Sequence, residues 1–306
     1  MLSFDTLLTG ACQGLIWAFV ALGVFISFRL LDFADLSCEG CFTCGAAVSG
    51  VLIAGGVPPA LSVICAFFAG CIVGIVTGLL HTKLKIPPIL AGILTMTALF
   101  SVNLMIMQSP NINIGKHNTL YDQVNGLLEI GRRYSALIIG VLLVILVVYA
   151  LYWFLGTELG CTVRATGDNE KMCRAQGVNT DNAKILGLAL SNGLVAVGGS
   201  MLCQYQSSAN STMGVGAIVI ALASIIIGET IFKRARGFVL RLFGVAIGAV
   251  IYRVIVTVII DANIMSPDNL KLLTALVITV ALGLSAILDS AKKAIKHRGS
   301  HKKGGA

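Results

Sequence analysis

Apolar runs about 20 residues long, each closed by charge, proline or glycine, recur along the whole of this chain, and their length restricts the fold more than any other feature. A helix needs roughly 20 residues to cross about 30 Å of hydrocarbon. Nine runs approach that length: Leu7 to Phe28, Gly40 to Gly55, Pro59 to Leu80, Pro87 to Met107, Tyr134 to Phe154, Ala183 to Cys203, Gly214 to Phe232, Phe238 to Ile260 and Leu270 to Leu288. The second is short and rich in small residues. It predicts a broken or partly re-entrant helix, tolerated where protein or a water-filled cavity covers the backbone. The fold expected is an all-α, polytopic transmembrane helical bundle of about nine segments, one of them short or broken. Composition agrees: only 12% of the 306 residues are charged and 57% are hydrophobic, whereas soluble domains carry about 25% charged residues. Residues 1–290 read as one transmembrane domain and residues 291–306 as a basic cytoplasmic tail.

The first run has Asp5 before it instead of a basic stretch, and Arg29 after it where a small-residue cleavage site would stand. It reads as a retained helix, not a signal peptide. Short loops rich in lysine and arginine stay cytoplasmic, and 17 of the 22 basic residues fall on one side of the nine-helix map. That bias places the N-terminus outside and the C-terminus inside. The net charge of +8 is then positive-inside anchoring, with a tail that touches anionic headgroups, and not a footprint for nucleic acid.

Two polar segments stand out, the outer Gln108 to Arg133 and the inner Gly156 to Asn182. Within the inner one, Asp168 or Asn169 can cap a short helix, Arg174 suits its last turn, and Gly177 can close it in a left-handed conformation. Such a helix, lying along the membrane between two spanning helices, can transmit force from a cytoplasmic partner; an ordinary solvated loop is the plainer alternative. The residues Cys38, Cys41 and Cys44 have metal-like spacing but no evident fourth ligand. The same spacing of three stacks small thiols along one helix face, so packing is expected and no metal. Asp35, Glu39 and Glu229 border helices, and Asn103, Asn192 and Gln204 lie within or beside them. These six are the candidates for a translocation path, the amides serving equally well as hydrogen-bond glue between helices. Arg253 lies mid-run and is expected to pair with Glu229 or Asp261, with outward snorkelling of its long side chain as the alternative. No histidine cluster or pair of catalytic groups is present, so no catalytic residue is assigned.

The stretch containing Gly167, Asn169, Glu170, Ala175, Gly177 and Val178 resembles the cytoplasmic coupling segment of permease subunits of bacterial ABC importers, in the branched-chain amino acid and ribose family. Supporting matches are Leu31 to Ser37 before the short helix and the basic loop Lys233 to Gly237, the likeness spanning roughly residues 15 to 285. His81 to Pro88 and Ile93 to Ala98 are similar to the subgroup that works with a binding protein of the aromatic amino acid type. Glu229 departs from the pattern, standing where relatives often carry a second glycine. The resemblance implies that Gly167, Asp168, Asn169, Glu170, Arg174, Ala175 and Gly177 dock on an ATPase. It also implies an extracytoplasmic solute-binding protein, a pair of permeases, and residence in the bacterial cell membrane.

A phosphate-cradling G-x-x-x-x-G-K-[ST] loop is absent, so in this reading ATP is bound by a separate cytoplasmic subunit and the chain itself holds no cofactor. The expected function is import of a small polar solute such as an aromatic or branched-chain amino acid. The alternatives are a ribose- or nucleoside-type permease and an ion- or proton-coupled secondary transporter. The last would place carboxylates or histidines deep within helices, and deep carboxylates are nearly missing.

Overall fold

The structure, a computed structural model, describes residues 4–129, 131–232, 237–261 and 279. Its helices follow the apolar runs: α1 Phe4–Val24 continuing through a wider π-turn at Phe25–Leu30, α2 Cys38–Ala54, α3 Pro59–Thr82, α4 Pro88–Met107, α5 Leu120–Leu128, α6 Arg132–Gly156, α7 Glu158–Asp168, α8 Glu170–Ala175, α9 Thr180–Gln206, α10 Ala217–Ile231 and α11 Phe238–Asp261. Two strands, β1 Asn111–Asn113 and β2 Ser208–Asn210, pair antiparallel with Ile112 opposite Ala209. Six of the described helices are long and apolar enough to cross a membrane. The expected segment Leu270 to Leu288 and the basic tail lie outside the described residues.

Two of the eight apolar helices are short, not one. Helix α2 runs unbroken for 17 residues, and α10, expected from Gly214, starts at Ala217 and has 15. They begin beside one another: Glu39 Oε1 accepts a hydrogen bond from the Gly216 backbone N–H at 2.9 Å, and Thr43 Oγ1 accepts one from Gly214 N–H at 3.1 Å. A carboxylate at the start of α10 answers the partial positive charge of its unpaired amides. From this meeting point α2 leads toward the β1/β2 pair, where Gly50 faces Ala209, and α10 leads to Glu229 at the opposite face.

Helices α1 and α9 are largely buried and form the centre, while α3, α4 and α6 turn residues such as Phe68, Ile72, Phe100, Met105, Leu142 and Trp153 outward. Apolar side chains on the rim of a spanning bundle meet lipid and need no partner. The tightest seam joins α3 to α9. Gly70, Gly74 and Gly78, four residues apart, stack on one face of α3 and meet Asn192, Leu188 and Ile185 of α9, so closely that a Cβ at Gly70 or Gly74 would strike backbone. Without side chains between them, the two backbones gain dispersion contact along several turns.

Candidate functional site

The inner segment folds as two helices. Asp168 is the last residue of α7, and the cap of α8 is Asn169, whose Oδ1 accepts from Met172 N–H at 3.0 Å. The expectation of a single helix left Asp168 or Asn169 as the cap, and the extended backbone of Asn169 decides it. Gly177 takes φ +81°, closing α8 with its N–H on Arg174 O at 3.0 Å. At that φ only glycine is relaxed. Gly167 packs against the Leu30 carbonyl, seating α7 on the π-turn that ends the first spanning helix.

Glu170 is the hub of this segment. Its Oε1 accepts from Arg174 NH2 at 2.9 Å and from Thr180 Oγ1 at 3.3 Å, and its Oε2 accepts from Lys184 Nζ at 2.8 Å. Arg174 also reaches Thr180 Oγ1 at 2.7 Å through Nε and Asp181 at 2.8 Å. Lys184, its side chain only 14% exposed, lies 3.4 Å from His81 Nε2, and His81 Nδ1 lies 2.8 Å from Ile86 O. A carbonyl accepts only, so these partners put the ring proton on Nδ1 and leave Nε2 to accept from Lys184. The hydrogen bond from Lys184 holds the Glu170 carboxyl below the usual glutamate range against a smaller opposing effect of burial, with Arg174 adding to the lowering. Helix α8 is therefore clamped by charge to the start of α9 and, through His81, to the end of α3. Ala175 completes α8, and Cys173 is its buried anchor.

The other candidate residues fall in separate places. Asp35, 1% exposed, accepts from Ser37 N–H at 2.8 Å and from Asn192 Nδ2 at 2.7 Å. Gln204, wholly buried, accepts from Leu120 N–H at 3.0 Å and donates to Pro59 O at 3.3 Å and Ser62 Oγ at 3.3 Å. Asn103 donates to Gly40 O at 3.1 Å. Asn192, Gln204 and Asn103 thus join helices α2, α3, α4, α5 and α9, while Glu39 tethers α10. Glu229 forms a bidentate pair with Arg29 at 2.9 and 3.1 Å. The three cysteines of α2 are buried, Cys41 donating to the Asn192 carbonyl at 3.2 Å.

One pairing must be corrected. Arg253 pairs with neither Glu229 nor Asp261, because Arg29 holds the first and Thr6 Oγ1 donates to the second at 2.9 Å. Its Nε donates to Gln13 Oε1 at 2.9 Å, and its guanidinium stands over Trp17. Sequence reading passed over Gln13, Trp17, Lys184 and His81 as site residues. Gln13, inside the first expected run from Leu7 to Phe28, was a usable signal, since an amide inside a lipid-spanning run needs a partner.

A central pair of buried helices, outer helices with exposed apolar faces and a charged clamp on one face define a polytopic membrane bundle. The chain belongs to the family described as branched-chain amino acid transport system / permease component, whose pattern it matches over residues 6–282. It is 37% identical over 281 residues to the tyrosine transport system permease protein of Clostridioides difficile (strain R20291), covering 92% of each chain. It is 31% identical over 200 residues to the inner membrane ABC transporter permease protein YjfF of Escherichia coli (strain K12), covering 64% of this chain and 59% of that one. The ribose import permease protein RbsC of Haemophilus influenzae is 26% identical over 251 residues, 81% of this chain and 75% of its own. No solved structure matches. The protein is accordingly an ABC-type permease and a multi-pass protein of the inner membrane.

Proposed function

We propose that this chain is the membrane-spanning subunit of an ATP-driven importer that carries an amino acid, of aromatic or branched-chain type, into the cytoplasm. The observation that carries the reading is the Glu170 clamp. A short helix held to α9 by Lys184 and to itself by Arg174 is a handle on the most buried helix of the bundle. A cytoplasmic ATPase that grips Gly167, Asp168, Asn169, Glu170, Arg174, Ala175 and Gly177 would move α9 when its nucleotide state changes. The likeness to a tyrosine permease over nearly the full length of both chains supports the amino acid. The ionic end of α9 then faces the cytoplasm, the N-terminus lies outside, and the tail 291–306 sits against inner headgroups. The β1/β2 pair with α5 is the surface for a solute-binding protein, and two permeases form the path.

The test is uptake of radiolabelled tyrosine and leucine into vesicles holding permease, ATPase and binding protein, with ATP hydrolysis measured in parallel. Gly177→Pro and Glu170→Arg are expected to abolish solute-stimulated hydrolysis while the chain still inserts. Uptake that continues without ATP and follows a proton gradient overturns the reading.

A further inference from the structure

Arg253 stands eight residues before the end of α11, about 12 Å along the helix from its terminus. Among the described residues its side chain donates to a neutral amide, Gln13 Oε1, and no carboxylate pairs with it. The guanidinium carbon lies 5.7 Å from the centre of the Trp17 ring. Trp17 is 5% exposed and stacks on Phe42 at 5.2 Å, and its Nε1–H has no hydrogen-bond partner among the described residues. With Gln13 Oε1 engaged by Arg253, the two N–H groups of its amide are also left to donate. Three kinds of donor therefore gather within the membrane around a positive charge that no carboxylate among the described residues compensates.

A buried indole N–H without an acceptor and a cation without a counter-ion are both costly in a spanning bundle. A single planar oxyanion answers both, accepting from the free N–H groups of the guanidinium and from the indole N–H at the edge of the ring that the guanidinium covers. Arginine presents paired N–H groups that match a carboxylate. Two sources supply such an oxyanion, a solute carboxylate or a lipid phosphodiester. The burial of Trp17, and the close seam in which Gly10 and Gly14 of α1 meet Val254 and Val250 of α11, shut the group away from the lipid face.

We propose that Arg253, Gln13 and Trp17 form the site that receives the carboxylate of the transported solute. The proposal rests on amino acid import as the function. It puts the charge-selecting step on α1 and α11, away from the Asp35 and Gln204 networks, whose polar atoms already have protein partners.

The chain has two tryptophans, and Trp153 is 74% exposed, so Trp153→Phe leaves Trp17 as a reporter inside the site. The full chain carrying that change, in phosphatidylcholine nanodiscs and excited at the red edge of indole absorption, is titrated with L-phenylalanine, with L-phenylalaninamide and with acetate. Phenylalanine and acetate are expected to shift Trp17 emission saturably, and the amide, which lacks the carboxylate, to leave it unchanged. Arg253→Gln should weaken the response at least about tenfold, and Arg253→Lys, which keeps the charge, should retain part of it. An amide response equal to that of phenylalanine, a silent acetate titration, or an undiminished response in Arg253→Gln overturns the site. Nanodiscs of phosphatidylglycerol that reproduce the shift without solute assign the site to lipid and overturn it equally. An acetate response with phenylalanine silent upholds the carboxylate site and removes the aromatic solute, which separates this inference from the function on which it rests.

Discussion

The polar network at the start of α9 is ionic and half in water, whereas the networks along its buried length are made of amides, hydroxyls and one enclosed carboxylate. At the start, Glu170, Arg174, Asp181 and Lys184 share three ion pairs, and the Arg174 side chain is 52% exposed. Further along, Asn192 and Gln204 are wholly buried. Exposed ion pairs contribute roughly 0–1 kcal/mol because water and salt screen them. A buried polar group left without its partner costs about 1–3 kcal/mol, and an unpaired buried charge more. The buried networks therefore hold the bundle together, and the ionic one is weak enough to be remade as a partner moves.

The largest effect is expected at Asn192. Asn192→Leu removes the amide that donates to Asp35 Oδ2, and should destabilise the chain in detergent by about 3 kcal/mol, read as a fall in denaturant midpoint. Asp35→Leu together with Asn192→Leu should recover part of that loss. Additive losses would mean that the two side chains do not act as a pair. Gln204→Leu strands Leu120 N–H and should cost about 2 kcal/mol, with earlier proteolysis of the 108–133 segment than in the parent chain. A loss as small as that at Glu170 would erase the contrast between the two networks.

The smallest effect on stability belongs to Glu170→Gln, about 0.5 kcal/mol after screening, and it carries a pH signature. The folded-state pKa of Glu170 lies below its ordinary value of 4.5, so its contribution is complete above that value and is lost as pH falls through the folded pKa. The melting difference between the parent chain and Glu170→Gln should thus be present at about pH 6 and shrink as the pH falls through the lowered folded pKa. A difference that grows on acidification would show that another group governs this face.

Much of the bundle could be read in advance, because the length of an apolar run is set by the thickness of hydrocarbon. Eight of the nine expected segments have a described helix at their place, most within a few residues. The start of α10 was misplaced, since no charge or proline separates Gly214 from the helix that begins at Ala217. Helix α5 and the β1/β2 pair were missed, because their order comes from the Thr119–Asp122 capping box and a long-range strand register that a polar segment does not advertise. In the inner segment, local chemistry named Asn169 and Gly177, while the bond from Glu170 to Lys184 joins residues 14 apart, beyond any helix-face rule. The Gly70, Gly74, Gly78 spacing was in plain view in the sequence and went unused. The pairing of Arg253 was misjudged because charge alone was matched, and the structure supplied an amide and a ring instead.

The glycine seam between α3 and α9 has a mechanical consequence. Backbone meets backbone at Gly70 and Gly74, and Phe67 and Cys71 of α3 pack on Gly193 of α9 beside them, so the two helices are expected to tilt as one body. Lys184 and Gln204 lie at opposite ends of α9, about 30 Å apart along its axis. A tilt applied at the Lys184 end is not absorbed along that length. It would emerge at Gln204, where Leu120 and the Pro59 turn are fastened, so the two ends of α9 would turn together as the ends of a seesaw do.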